Sequence, residues 1–206
     1  MTNCRWTALA VAAITSGVPM AANAHIVITQ MNQSAGWEGA VLTLLIPHGC
    51  GAAPTTEIRI KVPDNVNVLL PEPKAGWTLQ MTNRKLAVPK KVGNREITEV
   101  QDEVVWTGGS LASNQAGLFT FVTNFPNKPG ERVYFKTIQK CGATDDKWID
   151  TVKEEEEIWR IWLSPKPSPF VVLSAPAQPQ LFAPFEVIAA ERKKMMAAKP
   201  MEGKKP

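Results

Sequence analysis

The stretch TEIRIKVP at 56–63 alternates without a break: Ile58, Ile60 and Val62 fall on one side, Glu57, Arg59 and Lys61 on the other. Successive side chains of a strand point to opposite faces, so this pattern describes a strand with one face in a core and one in water. A period of two residues gives no apolar stripe on a helix, which commits this part of the chain to a sheet. Comparable runs recur: HIVIT (25–29), AVLTLLIP (40–47), WTLQMT (77–82), REITEV (95–100), EVVWTG (103–108), LFTFVTNF (118–125) and RVYFKTIQ (132–139). Between them lie PEPKAG (71–76), TGGSLASNQAG (107–117) and FPNKPGE (125–131), rich in the residues that make turns. No helical period of useful length occurs before the C-terminal tail. The expected fold is all-β, an antiparallel β-sandwich of the immunoglobulin or cupredoxin-like kind.

The two ends of the chain differ from this middle. Residues 1–24 carry Arg5, the apolar run WTALAVAAITSGVPM and the small-residue pattern Ala22-Asn23-Ala24, the features of a cleaved export signal. The apolar run is too short, and too broken by Gly17 and Pro19, for a span of about 20 residues. The expected mature chain is a sandwich over 25–163 followed by a Pro-rich, basic and partly disordered tail over 164–206, with a short helix over 185–198. The formal net charge of +4 is modest and the tail lysines account for it, so nucleic acid is not an expected partner. The acidic run KEEEE (153–157) reads as a solvated loop. No later stretch suits a membrane span, and the expected location is the periplasm.

Cys50 and Cys141 remain after cleavage. In an oxidising compartment an even pair points to a disulfide, and a pair of thiolate ligands for a soft metal is the alternative.

Cleavage after Ala24 makes His25 the first residue. A histidine at a free N-terminus carries two nitrogen donors, its α-amine and imidazole Nδ1, that close one chelate ring on a single ion. Cu(II) suits nitrogen donors in a tetragonal plane, and the amine must be deprotonated to bind. An internal histidine lacks this option. The plain alternative is that His25 simply starts the first strand. Further donors are sought among His48, in PHGCG, and Glu38, in AGWEG. His48 equally suits a local hydrogen-bonding role in its turn, and Glu38 an exposed turn.

The set AHIVIT, SAGWEG, PHGC followed by PTTEIRIKVPDNV, PEPKAGWTLQ, VVWTGG, LFTFVTNFP and YFKTIQKCGATDDKW resembles the YcnI-type copper-binding family over 25 to about 150. The resemblance implies a Cu(II) site with one ion per chain, built on the N-terminal histidine as a brace with a single histidine. Carried over, the histidine is His25, the carboxylate is Glu38, and the tryptophan beside the metal is Trp148, with Trp37 also near the motif. Without the resemblance, both tryptophans read as ordinary core packing.

Three functions follow as expectations. The first is copper capture, storage or delivery without turnover, involving the ion itself and a periplasmic or membrane copper-handling partner. The second is an oxidative copper enzyme of the polysaccharide monooxygenase kind, which requires His48 as second histidine. The third is a metal-free interaction module.

Overall fold

The structure is a computed structural model that describes residues 25–66, 69–92, 94–175 and 185–198. The expected export signal, 1–24, lies outside the described residues, as do 176–184 and 199–206 of the tail.

Twelve strands form among the described residues. They are β1 (Val27–Ile28), β2 (Asn32–Ser34), β3 (Ala40–Ile46), β4 (Thr55–Lys61), β5 (Leu69–Pro71) and β6 (Thr78–Val92), then β7 (Arg95–Leu111), β8 (Gly117–Thr123), β9 (Arg132–Tyr134), β10 (Thr137–Cys141), β11 (Thr144–Trp148) and β12 (Phe170–Ser174). A short 3-10 segment covers Ile158–Leu163, and one helix, α1, covers Phe185–Ala198. The helix coincides with the one expected over 185–198.

The main sheets are a four-stranded one ordered β1-β3-β8-β5 and a five-stranded one ordered β11-β10-β4-β7-β6. Their strand pairs are antiparallel. A third, three-stranded sheet, β2-β12-β9, includes one parallel pair, β12 with β2. The alternation of TEIRIKVP is realised as read, with Ile58, Ile60 and Val62 buried. Facing them across the sandwich are Leu42, Leu44 and Ile46 of β3 and Phe119 and Phe121 of β8, all in one continuous core with Val104 and Trp106 of β7. Inward side chains from two sheets interdigitate in this way in a sandwich.

Three features go beyond the sequence pattern. The runs at 77–82, 95–100 and 103–108 belong to two long strands, β6 and β7, whose pairing continues to Val92 opposite Arg95. Polar side chains such as Lys85, Lys91, Glu96 and Glu99 let this ribbon continue in solvent. The single run RVYFKTIQ is divided between two sheets: β9 pairs with β12, and β10 pairs with β4 and β11. Phe135, fully buried between them, marks the change of sheet. Lastly, Phe170–Ser174 falls within the stretch expected as tail, yet it pairs with both β2 and β9 and buries Phe170, Val171 and Leu173. The folded unit therefore runs past 163 to Ser174. The apolar run PFVVLS among prolines is a strand because its alternate side chains find a core.

Cys50 and Cys141 form a disulfide with Cα atoms 5.8 Å apart, joining chain segments 91 residues apart. Among the described residues no helix is long and apolar enough to cross a membrane.

Candidate metal centre

His25 stands just ahead of β1. That strand is fixed against β3 by the pairs Val27 with Leu45 and Ile28 with Leu44. Ile26 and Ile28 are buried in the core, and strand alternation then turns His25 and Val27 to the other side. The His25 side chain is half-buried.

Two indoles meet its imidazole. Trp148, at the end of β11, lies edge-on, with ring centroids 6.1 Å apart and planes 64° apart. Trp162, in the 3-10 segment, lies nearly parallel at 5.8 Å and 8°. Trp148 is buried, whereas Trp162 keeps 41% of its surface exposed.

Trp148 is held from the core side. Its Nε1 donates to Oε1 of Gln139 across 3.3 Å. The same Gln139, 2% exposed, donates through Nε2 to the His48 carbonyl at 2.9 Å and to Thr55 Oγ1 at 2.7 Å. A buried amide with this many partners stays in one orientation. On the outside, Lys166 Nζ lies 4.4 Å from the Trp148 ring centroid and pairs with Asp146 at 2.9 Å. A cation over an indole face is attracted by the ring quadrupole.

His48 follows β3 at the end of that strand nearer His25, because Val27 pairs with Leu45. Its Nδ1 donates to the Gly49 carbonyl at 2.5 Å. Its Nε2 is buried without a hydrogen-bond partner among the described residues.

Glu38 is set apart from this cluster. It precedes Ala40 at the start of β3, whereas the residue opposite Val27 is Leu45 near the other end. At about 3.4 Å per residue, the length of strand between Ala40 and Leu45 is roughly 17 Å. The AGWEG turn is tied instead to the end of β8: the Gly39 amide donates to Asn124 Oδ1 at 2.8 Å and the Phe125 amide to the Trp37 carbonyl at 2.9 Å. Trp37 packs on the core at that far end. The antiparallel register is the reason: placing strand one beside strand two puts the intervening turn, with Glu38, at the opposite pole.

No group of three or more His, Cys, Asp or Glu side chains gathers among the described residues. Of the carboxylates on the segments that carry the two indoles, Asp146 pairs with Lys166 and Asp150 accepts from the Ser164 hydroxyl. The donor that meets both indoles is the His25 imidazole; a chain cut after Ala24 would add the His25 amine. In the uncut chain that nitrogen is an amide and cannot serve as an amine donor. The donor set suits a tetragonal, nitrogen-preferring ion with remaining positions left to solvent.

Trp162 is the residue that sequence reasoning missed. It lies beyond the acidic run, in EEEEIWRIWL, where the only signal is a pair of tryptophans spaced by Arg160 and Ile161.

A family model described as a domain of unknown function, DUF1775, matches residues 25–171. No curated protein matches the chain. Among solved structures, the chain is similar to an uncharacterized protein from Nocardia farcinica with an immunoglobulin-like fold, at 19% identity and a TM-score of 0.51. That likeness covers 73% of this chain and 99% of the other, and shows the fold.

Proposed function

The chain belongs to the DUF1775 family, and we propose that its mature form is an exported Cu(II)-binding protein. The ion is captured by the α-amine and imidazole of His25, which signal cleavage brings to the N-terminus. The observation that carries this reading is the environment of one side chain: the His25 imidazole meets both Trp148 and Trp162, ahead of a strand whose neighbours are locked in the core.

The physical logic is preorganisation. A free histidine must lose side-chain freedom to chelate; here the two rings already restrict the imidazole, so less ordering remains to be done on binding. The surrounding indoles exclude water on their sides, and a lower local dielectric strengthens the nitrogen–metal interaction. With the ion held by His25 alone, water or a ligand of a partner would complete its coordination, the property expected of a protein that captures, stores or hands on copper and performs no turnover. The Cys50–Cys141 bridge suits an oxidising compartment such as the periplasm.

A competition titration of mature protein with Cu(II) tests the reading. His25→Ala is expected to abolish stoichiometric binding and the associated quenching of tryptophan emission. Unchanged binding in that variant would contradict it.

A further inference from the structure

We propose that the outward face of the four-stranded sheet is a self-association surface, on which a second copy of this chain packs face to face about a two-fold axis. The inference stands on the sheet alone and does not depend on the His25 reading.

Strands β3 and β8 run side by side through seven paired residues without a shift in register. Alternate residues of each turn away from the core. These outward residues fall into rows across the sheet. Val27, Leu45 and Leu118 make the first row. Val41, Val122 and Leu70 make the last, and Thr43 opposes Thr120 between them. None of these side chains is charged. Val41, Leu70 and Leu118 keep 57%, 55% and 54% of their surface exposed, so the described part of the chain leaves them open. Charge enters at the rim, where the Glu72 amide donates to the Thr120 carbonyl and Lys74 Nζ to the Leu118 carbonyl.

The other main sheet is the contrast. On its outward face Arg59 pairs with Glu57 and Glu103, and Lys61 and Arg84 pair with Asp102. An antiparallel sheet with one face in water ordinarily presents polar residues there. The five-stranded sheet follows that rule and the four-stranded sheet departs from it. A contiguous apolar face of this kind marks a contact surface.

Charge and shape identify the occupant as a second copy. Each chain carries a formal net charge of +4, and an uncharged face lets two copies meet without setting like charges together. A partner recognised by its charge would find no complement in these rows. Valine, leucine and threonine side chains on a flat sheet can interdigitate with an identical sheet about 10 Å away, as the two layers of a sandwich do. The edges of the sheet offer little by comparison. β1 and β5 are two and three residues long, and such short edges are poor templates for pairing with another chain. A two-fold axis puts the same patch on both sides of the contact and closes the assembly at two copies.

The area sets the strength. Seven residues span roughly 24 Å along the strands, and four strands roughly 19 Å across them. The flat footprint is then about 450 Å² per copy and about 900 Å² for the pair, below the range of about 1,200–2,000 Å² for stable complexes. The dimer is a weak, reversible one.

The test is sedimentation velocity on chain 25–206, which contains every described element, from low micromolar to near-millimolar concentration. The mean mass should climb toward that of two chains as concentration rises. Val41→Glu and Leu118→Glu each bury an unpaired carboxylate in the contact and should hold the mass at one chain. Lys140→Gln, on the outward face of the five-stranded sheet, makes the same change in net charge and should associate like the parent. A mixture of isotopically labelled and unlabelled chain should give intermolecular nuclear Overhauser effects between methyl groups of Val41, Leu118 and Val122. Far-UV circular dichroism confirms that the variants are folded. A parent that stays at the mass of one chain throughout would overturn the proposal, as would association that Val41→Glu and Leu118→Glu leave intact.

Discussion

Trp148 and Gln139 are joined by a buried hydrogen bond, Nε1 to Oε1 across 3.3 Å, that links the side wall of the His25 site to the core of the sandwich. The bond is possible because β11 folds back on β10 in a fixed register, with Trp148 opposite Thr137 and Asp146 opposite Gln139. The other end of the Gln139 amide reaches His48 and Thr55. One side chain therefore ties together the start of the PHGC turn, strand β4 and the indole beside His25.

Gln139→Leu should be costly for this reason. It leaves the Trp148 N–H and the His48 carbonyl without their partner, at about 1–3 kcal/mol for each buried group left unsatisfied. Urea unfolding should show a lower midpoint with an unchanged slope, the sign of lost stability in an unaltered unfolded state. A midpoint equal to that of the parent would show that the network is not a stabilising one.

Glu38 sits at the far pole of β3 from His25, beside Asn124 and Phe125. Glu38→Ala is accordingly expected to leave Cu(II) affinity and its EPR spectrum unchanged. A large loss of affinity would mean that the AGWEG turn reaches the metal in a conformation other than this one.

His48 has its Nδ1 bonded to Gly49 and its backbone carbonyl bonded to Gln139. A brace with one histidine predicts that His48→Ala keeps the nitrogen hyperfine pattern of the copper site. Loss of one nitrogen coupling would instead identify His48 as a second histidine ligand through its unpartnered Nε2, and would favour the oxidative-enzyme alternative.

The disulfide closes a loop between residues 91 apart in sequence. Replacing both cysteines by alanine should cost about 2–5 kcal/mol, the usual range for removal of a native bridge. Thermal unfolding of the double variant against the parent checks this, and an unchanged midpoint would show that the bridge contributes nothing to the folded state. Since no metal ligation is assigned to these sulfurs, copper stoichiometry should not change.

The sequence made some of this legible and hid the rest for physical reasons. Strand alternation exposes which face of a segment is apolar, so Ile58, Ile60 and Val62 were readable as core from one short stretch. Periodicity does not say which sheet a strand joins, and RVYFKTIQ reads as one strand although Phe135 turns it from one sheet to another. The Pro-rich stretch concealed β12 because its pairing partners lie in β2 and β9, far away in sequence. His25 stood out as a histidine that cleavage after Ala24 would make terminal, and Trp148 through family resemblance, and the two rings do meet in the structure. Trp162 did not stand out, because its stacking on His25 depends on a strap held by Arg132, Tyr134 and Asp150. Glu38 looked close because adjacent strands are close, but antiparallel pairing places their connecting turn at the wrong end.

The central claim is that cleavage creates the copper site, and one paired measurement addresses it. The mature chain beginning at His25 and a twin with a single additional glycine are each given one equivalent of Cu(II), and their EPR spectra and tryptophan quenching are compared. The account predicts a tetragonal, nitrogen-rich signal with strong quenching in the first, and an altered or absent signal in the second. Identical spectra would show that the N-terminal amine is not a ligand and would contradict the proposed function.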